Sequence, residues 1–108
     1  MDDAELLRTA AARLEGLAAR TTAGDWRTGG LLATRPEVIA HRPDGSTQHV
    51  AEARAASATW ITALSPTLAE PLAGWLRDAA DRSPLEPRAV EVARILLDRL
   101  PGAGHADR

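Results

Sequence analysis

Residues 38–51 read Val-Ile-Ala-His-Arg-Pro-Asp-Gly-Ser-Thr-Gln-His-Val-Ala, and they decide the fold. Two short runs rich in β-branched residues flank Pro43-Asp44-Gly45. Proline pre-sets φ at the first turn position, aspartate suits the second, and glycine accepts positive φ. The stretch therefore reads as a hairpin with strands over Val38–Arg42 and Gln48–Ala51. A three-residue Pro-Asp-Gly loop pairs Arg42 with Ser46, Ala40 with Gln48 and Val38 with Val50. Val38, Ala40 and Val50 then share the core face, while Ile39, His41, Thr47 and His49 share the other. A two-residue Asp44-Gly45 loop pairs Ile39 with Val50 instead and separates the two histidines. One residue of slip exchanges the faces of a strand completely.

Upstream, Gly24-Asp25-Trp26 forms a turn that leads into β structure over residues 25–52. Trp26 opens a first short strand. Gly29-Gly30 is a turn or a bulge. Leu31–Thr34 reads as a further strand, and Pro36 interrupts it, as at a sheet edge.

On either side the pattern is helical. Asp2 with Glu5 has the spacing of a capping box. Leu7, Ala10, Ala11, Leu14, Leu17 and Ala18 follow as one apolar stripe that ends near Thr21-Thr22 and Gly24. Downstream, Trp60, Ile61 and Leu64 mark the apolar face of a short helix. Ser65-Pro66 is a helix-start signal. Leu68, Leu72, Trp75, Leu76 and Ala79 continue a stripe, in which Pro71 should kink the helix or move its start to Glu70. A last helix spans roughly Pro87 to Leu100, with Ala89, Val92, Ala93, Leu96 and Leu100 inward, and Pro101-Gly102 stops it.

These elements give an α+β fold: an N-terminal helix, a three- or four-stranded antiparallel β-meander, and two to three C-terminal helices packed on one sheet face. Residues 1–102 form one domain and residues 103–108 a disordered tail. A chain of 108 residues can bury a core without metals or disulfides.

Composition excludes several function classes. The chain has no cysteine, so thiol catalysis and cysteine-ligated zinc are out. No apolar run approaches the ~18 residues a membrane span needs, and no secretory signal is visible. The expected location is the cytoplasm. All thirteen basic residues are Arg, and Lys, Asn, Phe and Tyr are missing, which fits the codon usage of a GC-rich genome. The net charge is −2 with dispersed Arg, so no basic stripe marks a nucleic-acid partner. The helices from Trp60 to Leu100 resemble a helix-turn-helix only loosely, because Arg77, Asp78, Asp81 and Arg82 mix charges where a recognition helix is basic.

Candidate sites are few. Trp26, Trp60 and Trp75 are the only aromatics. Trp60 and Trp75 lie on apolar helix faces and are assigned to the core. Trp26 sits beside a turn and is the candidate interaction residue. His41 and His49 approach each other in the Pro-Asp-Gly register and are the candidate metal ligands. Zinc sites use three or four ligands. Glu37 and Glu52 are assigned the opposite parity, and His105 lies in the tail, so solvated histidines are the expectation. Ser46, Ser57, Ser65 and Ser83 each have a turn or capping role and none sits in a nucleophile elbow. Gly29-Gly30 has neither the spacing nor the lysine of a phosphate loop. No catalytic residue and no cofactor are expected.

Ala-Ala-Arg-Thr-Thr-Ala-Gly-Asp-Trp at 18–26, His-Val-Ala-Glu at 49–52 and Ala-Thr-Trp-Ile-Thr-Ala-Leu-Ser-Pro at 58–66 together resemble the Ead-type phage accessory proteins. They also resemble small proteins of actinobacteria and their prophages. The chain departs from that pattern at Thr22–Trp26, which lacks a proline, and at Trp60-Ile61, where Phe-Ile is usual. The resemblance covers roughly residues 7 to 80. It implies a phage-like or mobile-element accessory role and brings no catalytic residue or cofactor with it. The reading is a non-enzymatic interaction protein whose partner is another protein or a second copy of itself. The alternatives are a small metal-binding protein or enzyme centred on His41 and His49, and a DNA-binding regulator.

Overall fold

The computed structural model describes residues 1–30 and 36–102. The elements in order are α1 (Asp3–Arg20), β1 (Asp25–Gly29), β2 (Glu37–His41), β3 (Thr47–Glu52), α2 (Ala55–Ala63), a 3-10 turn (Pro66–Leu68), α3 (Ala69–Ala80) and α4 (Pro87–Arg99). This is an α+β fold with one helix before the sheet and three after it. The expected strand at Leu31–Thr34 and the expected tail lie outside the described residues. The described residues divide into two compact units, one of residues 21–30 and 36–68 and the other of residues 1–20 and 69–102.

The helical unit is built from α1, α3 and α4. The Asp2 carboxylate accepts a hydrogen bond from the Glu5 N–H at 2.7 Å and starts α1, satisfying a donor that the first turn cannot satisfy internally. Leu7, Ala10 and Ala11 of α1 meet Ala73, Leu76, Ala79 and Ala80 of α3 and Ala89, Val90 and Ala93 of α4 in one buried cluster. Seven of these ten residues are alanine, and small side chains at a helix–helix contact permit close approach of the axes. Pro71 sits near the start of α3, as the second alternative had it, with the helix beginning at Ala69 and not Glu70. It falls in the first turn of α3, after a separate 3-10 turn, where its missing N–H would have had no partner.

The sheet unit holds β1-β2-β3, antiparallel in that order, and α2, which packs against β1 and β2. The expectation placed two or three helices on the sheet. In this unit α2 fills that role, whereas α3 and α4 share their core with α1, because their buried faces are mostly alanine and suit close helix–helix contact.

The hairpin adopts the Pro-Asp-Gly register near its turn. The Arg42 N–H donates to Ser46 O at 2.9 Å and the Gly45 N–H to Arg42 O at 3.0 Å. Ala40 faces Gln48 and Ile39 faces His49. Beyond that point Val38 faces Ala51, not Val50, because an irregularity between Val38 and Ile39 leaves Val50 as an extra residue. Val38 and Ala40 are fully buried on one face of the sheet, as is Ala58 on α2.

Candidate functional site

Strand alternation sorts the sheet residues. Trp26 pairs with Ala40 and Thr28 with Val38, so Trp26 lies on the face of the buried residues. Its indole is half-buried and its Nε1–H donates to Thr22 O at 2.9 Å. Trp26 is thus a packed side chain with its polar atom satisfied, not an exposed anchor.

The other face carries Asp25, Arg27, Glu37, Ile39, His41, Thr47 and His49. His41 and His49 share it and are both exposed. Glu37 shares it as well, which corrects the assigned parity: residues 37, 39 and 41 alternate in step. His49 Nδ1 lies 3.0 Å from Glu37 Oε2. The bulge shifts β3 by one residue, so Glu52 now stands directly opposite Glu37. Among the described residues no group of three or more His, Asp or Glu could hold a metal ion. Next to these side chains, an open cleft of about 600 Å³ is lined by Gly24, Asp25, Arg27, His41, Arg42 and Pro43. Its cations already have partners. Arg27 Nε donates to Asp25 at 2.7 Å and Arg42 donates to Gln48. In the turn, Asp44 accepts from the Ser46 hydroxyl at 2.6 Å and the Ser46 N–H at 2.8 Å. Those two bonds hold its carboxyl below the usual range.

In the helical unit a cleft of about 420 Å³ is lined by residues including Trp75, Asp78, Arg82, Leu85 and Glu86. Trp75 is 38% exposed, which corrects its assignment to the core. The buried residues of α3 are Ala69, Ala73, Leu76, Ala79 and Ala80, a stripe of mostly small side chains with Trp75 at its edge. Nearby charges are tied to α1. Arg77 grips Glu15 with two bonds of 2.7 and 2.5 Å, and Arg8 reaches Asp81 at 2.9 Å. The Arg77 guanidinium holds the Glu15 carboxyl below the ordinary carboxylate range.

The largest departure from expectation is in α2. Trp60 is 69% exposed and Leu64 52%, so neither belongs to the core. The inward side of the helix carries Ala58 and Ser65, both buried, with Ile61 and Thr62 half-buried between them. Ala56, Thr59, Trp60, Ala63 and Leu64 face outward. From Ala55 to Ala69 the chain carries no charged residue, although 26% of the whole is charged. Two hydroxyls of α2 are turned back on the helix, that of Thr59 on the outward side and that of Thr62 on the inward side. The Thr59 hydroxyl donates to Ala55 O at 3.1 Å and the Thr62 hydroxyl to Thr59 O at 2.9 Å. The outward side of α2 is thus uncharged, with an indole and a leucine one turn apart among small side chains that include the exposed Ser57.

No family model matches this chain, and no characterised protein or solved structure is significantly similar to it.

Proposed function

We propose that this chain is a non-enzymatic protein-interaction module whose docking surface is the outer side of α2. It acts as an accessory protein, in line with the phage-like resemblance of its motifs, and works in the cytoplasm. The observation that carries this reading is Trp60, 69% exposed beside Leu64 on a helix without charge. Large exposed aromatics are costly to leave in water and are the side chains that dominate binding energy at interfaces. Chemistry has less support. His49 is engaged with Glu37 on an open sheet face, and the arginines of the adjoining cleft already bind neighbouring side chains. For DNA, a groove-reading helix needs a basic face, yet the arginines of α3 and α4 are interleaved with Glu70, Asp78, Glu91 and Asp98.

A photo-reactive benzoylphenylalanine at position 60, compared with one at the exposed Arg88 position, tests this in a cell extract. Light should link position 60, and not position 88, to a discrete protein band. Equal or absent linkage from both positions refutes the reading.

A further inference from the structure

The tip of the β2–β3 hairpin carries a reactive pair that the interaction reading does not use. A peptide nitrogen can attack the carboxyl carbon of the aspartate before it and close a five-membered succinimide. Glycine hinders this attack least, because it has no Cβ. The chain has eight aspartates and no asparagine, and only Asp44 is followed by glycine. Asp44 and Gly45 are both exposed, and nothing lies within 4 Å of the place a Gly45 side chain would take. Water and space are at hand.

The turn nevertheless engages both reacting groups. The nucleophile, the Gly45 N–H, donates to Arg42 O at 3.0 Å. The electrophile, the Asp44 carboxyl, accepts the Ser46 N–H at 2.8 Å and the Ser46 hydroxyl at 2.6 Å on the same Oδ1. These bonds draw the carboxyl toward residue 46 instead of residue 45. They also favour its ionised form, which is the poorer electrophile. We infer that Asp44-Gly45 is a site of isoaspartate formation held shut by the folded hairpin, with the Ser46 side chain as its latch.

The chemistry needs only water. When the turn opens, the Gly45 nitrogen bonds to Cγ of the protonated Asp44 carboxyl. The amide proton and the carboxyl hydroxyl leave as one water. A water then adds to either carbonyl of the ring. One opening restores aspartate; the other leaves the chain running through the side-chain carbonyl, with the α-carboxyl free. Mass is unchanged, and the backbone is longer by one carbon. That carbon falls inside the three-residue loop, so the bond from the Arg42 N–H to Ser46 O and the facing of His41 with Thr47 cannot both survive. A hairpin that has opened is thus marked covalently, as a loosened sheet unit.

The full chain, incubated at neutral pH and one temperature, folded or in guanidinium chloride, tests this by tryptic mapping. Trypsin releases residues 28–54 as one peptide, since Arg35 and Arg42 each precede proline, and Asp44 is its only aspartate. Isoaspartate appears there as a second peak of equal mass. The folded wild type should form it more than about tenfold more slowly than the unfolded one, because three hydrogen bonds must break first. Folded Ser46→Ala should react about 2- to 10-fold faster than folded wild type, the worth of one such bond. Ser46→Thr keeps the hydroxyl and should stay at the wild-type rate, and all three should match when unfolded. Equal rates for folded and unfolded wild type overturn the gate without recourse to any variant. No second peak in guanidinium chloride removes the site itself. Ser46→Ala reacting no faster than Ser46→Thr in the folded state removes the latch.

Discussion

The helical unit and the sheet unit manage their apolar residues in opposite ways. α1, α3 and α4 sink ten side chains into one cluster and tie their rims with the Arg77–Glu15, Arg8–Asp81 and Arg94–Asp3 ion pairs. The sheet unit fully buries only Val38, Ala40 and Ala58 among its described apolar residues, while its helix turns the indole of Trp60 to solvent. Amphipathic helices with charges on one side have a single way to fold inward. A helix with no charged side has no such instruction, and its outward face remains available for binding. Structure is concentrated in one unit and recognition, on the present proposal, in the other.

The contrast is broken most directly in the helical core. Leu76 is fully buried among alanines that are too small to fill a gap. Leu76→Ala should cost about 2–5 kcal/mol of unfolding free energy, read by urea denaturation. In hydrogen exchange the loss of protection should appear in α1, α3 and α4 amides. A cost below about 1 kcal/mol would mean that the cluster is loosely packed and that the two units do not differ as described.

How much of this is legible in the sequence follows from the same contrast. The stripe of α1 and the start of α4 at Pro87 are readable, because charge alternates with apolar residues there at helical spacing. The Pro-Asp-Gly turn is readable because each residue has a backbone reason to be where it is. The bulge at Val50 is not. Val50 and Ala51 are both small and apolar, so alternation gives no sign that one of them is extra, and that single residue moves Glu52 across from Glu37. The face of Glu37 itself follows by simple parity from Ile39 and His41, against the expectation that set it on the other side. The orientation of α2 is hidden in principle. With no polar side to exclude from the core, the pattern marks Trp60 and Ile61 equally, and small Ala58 faces inward. The exposed Trp75 has the same origin, since tight helix contact favours the alanines of α3 over a large ring.

Two glycines sharpen the comparison with smaller effects of opposite sign. Gly24, in the sheet unit, has φ of +118°, and a methyl group there would lie 2.8 Å from His41 O. Gly24→Ala should destabilise by about 1–3 kcal/mol and loosen β1 from β2. Gly74, inside α3, has open space where a methyl group would sit, with nothing within 4 Å. Gly74→Ala should stabilise by about 0.5–1 kcal/mol, because alanine restricts the unfolded chain and favours the helix. Thermal melts of the two variants on one instrument suffice. Matching shifts in the same direction would erase the distinction between a backbone-limited sheet unit and a propensity-limited helical one.

The smallest effect concerns the rim of the helical unit and depends on pH. Arg77 donates two hydrogen bonds to Glu15, and these lower the carboxyl's pKa against the opposing effect of desolvation. A carboxyl whose pKa is lower in the folded state than in the unfolded one adds stability above the unfolded value, roughly 4.3. That stability disappears as pH falls through the folded value. Both side chains are more than a third exposed, so water screens the pair and its share is modest. Glu15→Gln should therefore lower the melting temperature by a few degrees at most near neutral pH, and the gap between variant and wild type should close below about pH 4. Asp44 is also shifted downward, but it is present in both proteins and cancels in the difference. A gap that persists unchanged into acid would assign the loss to packing of the Glu15 stem, and the ion pair would then carry no part of what holds α1 against α3.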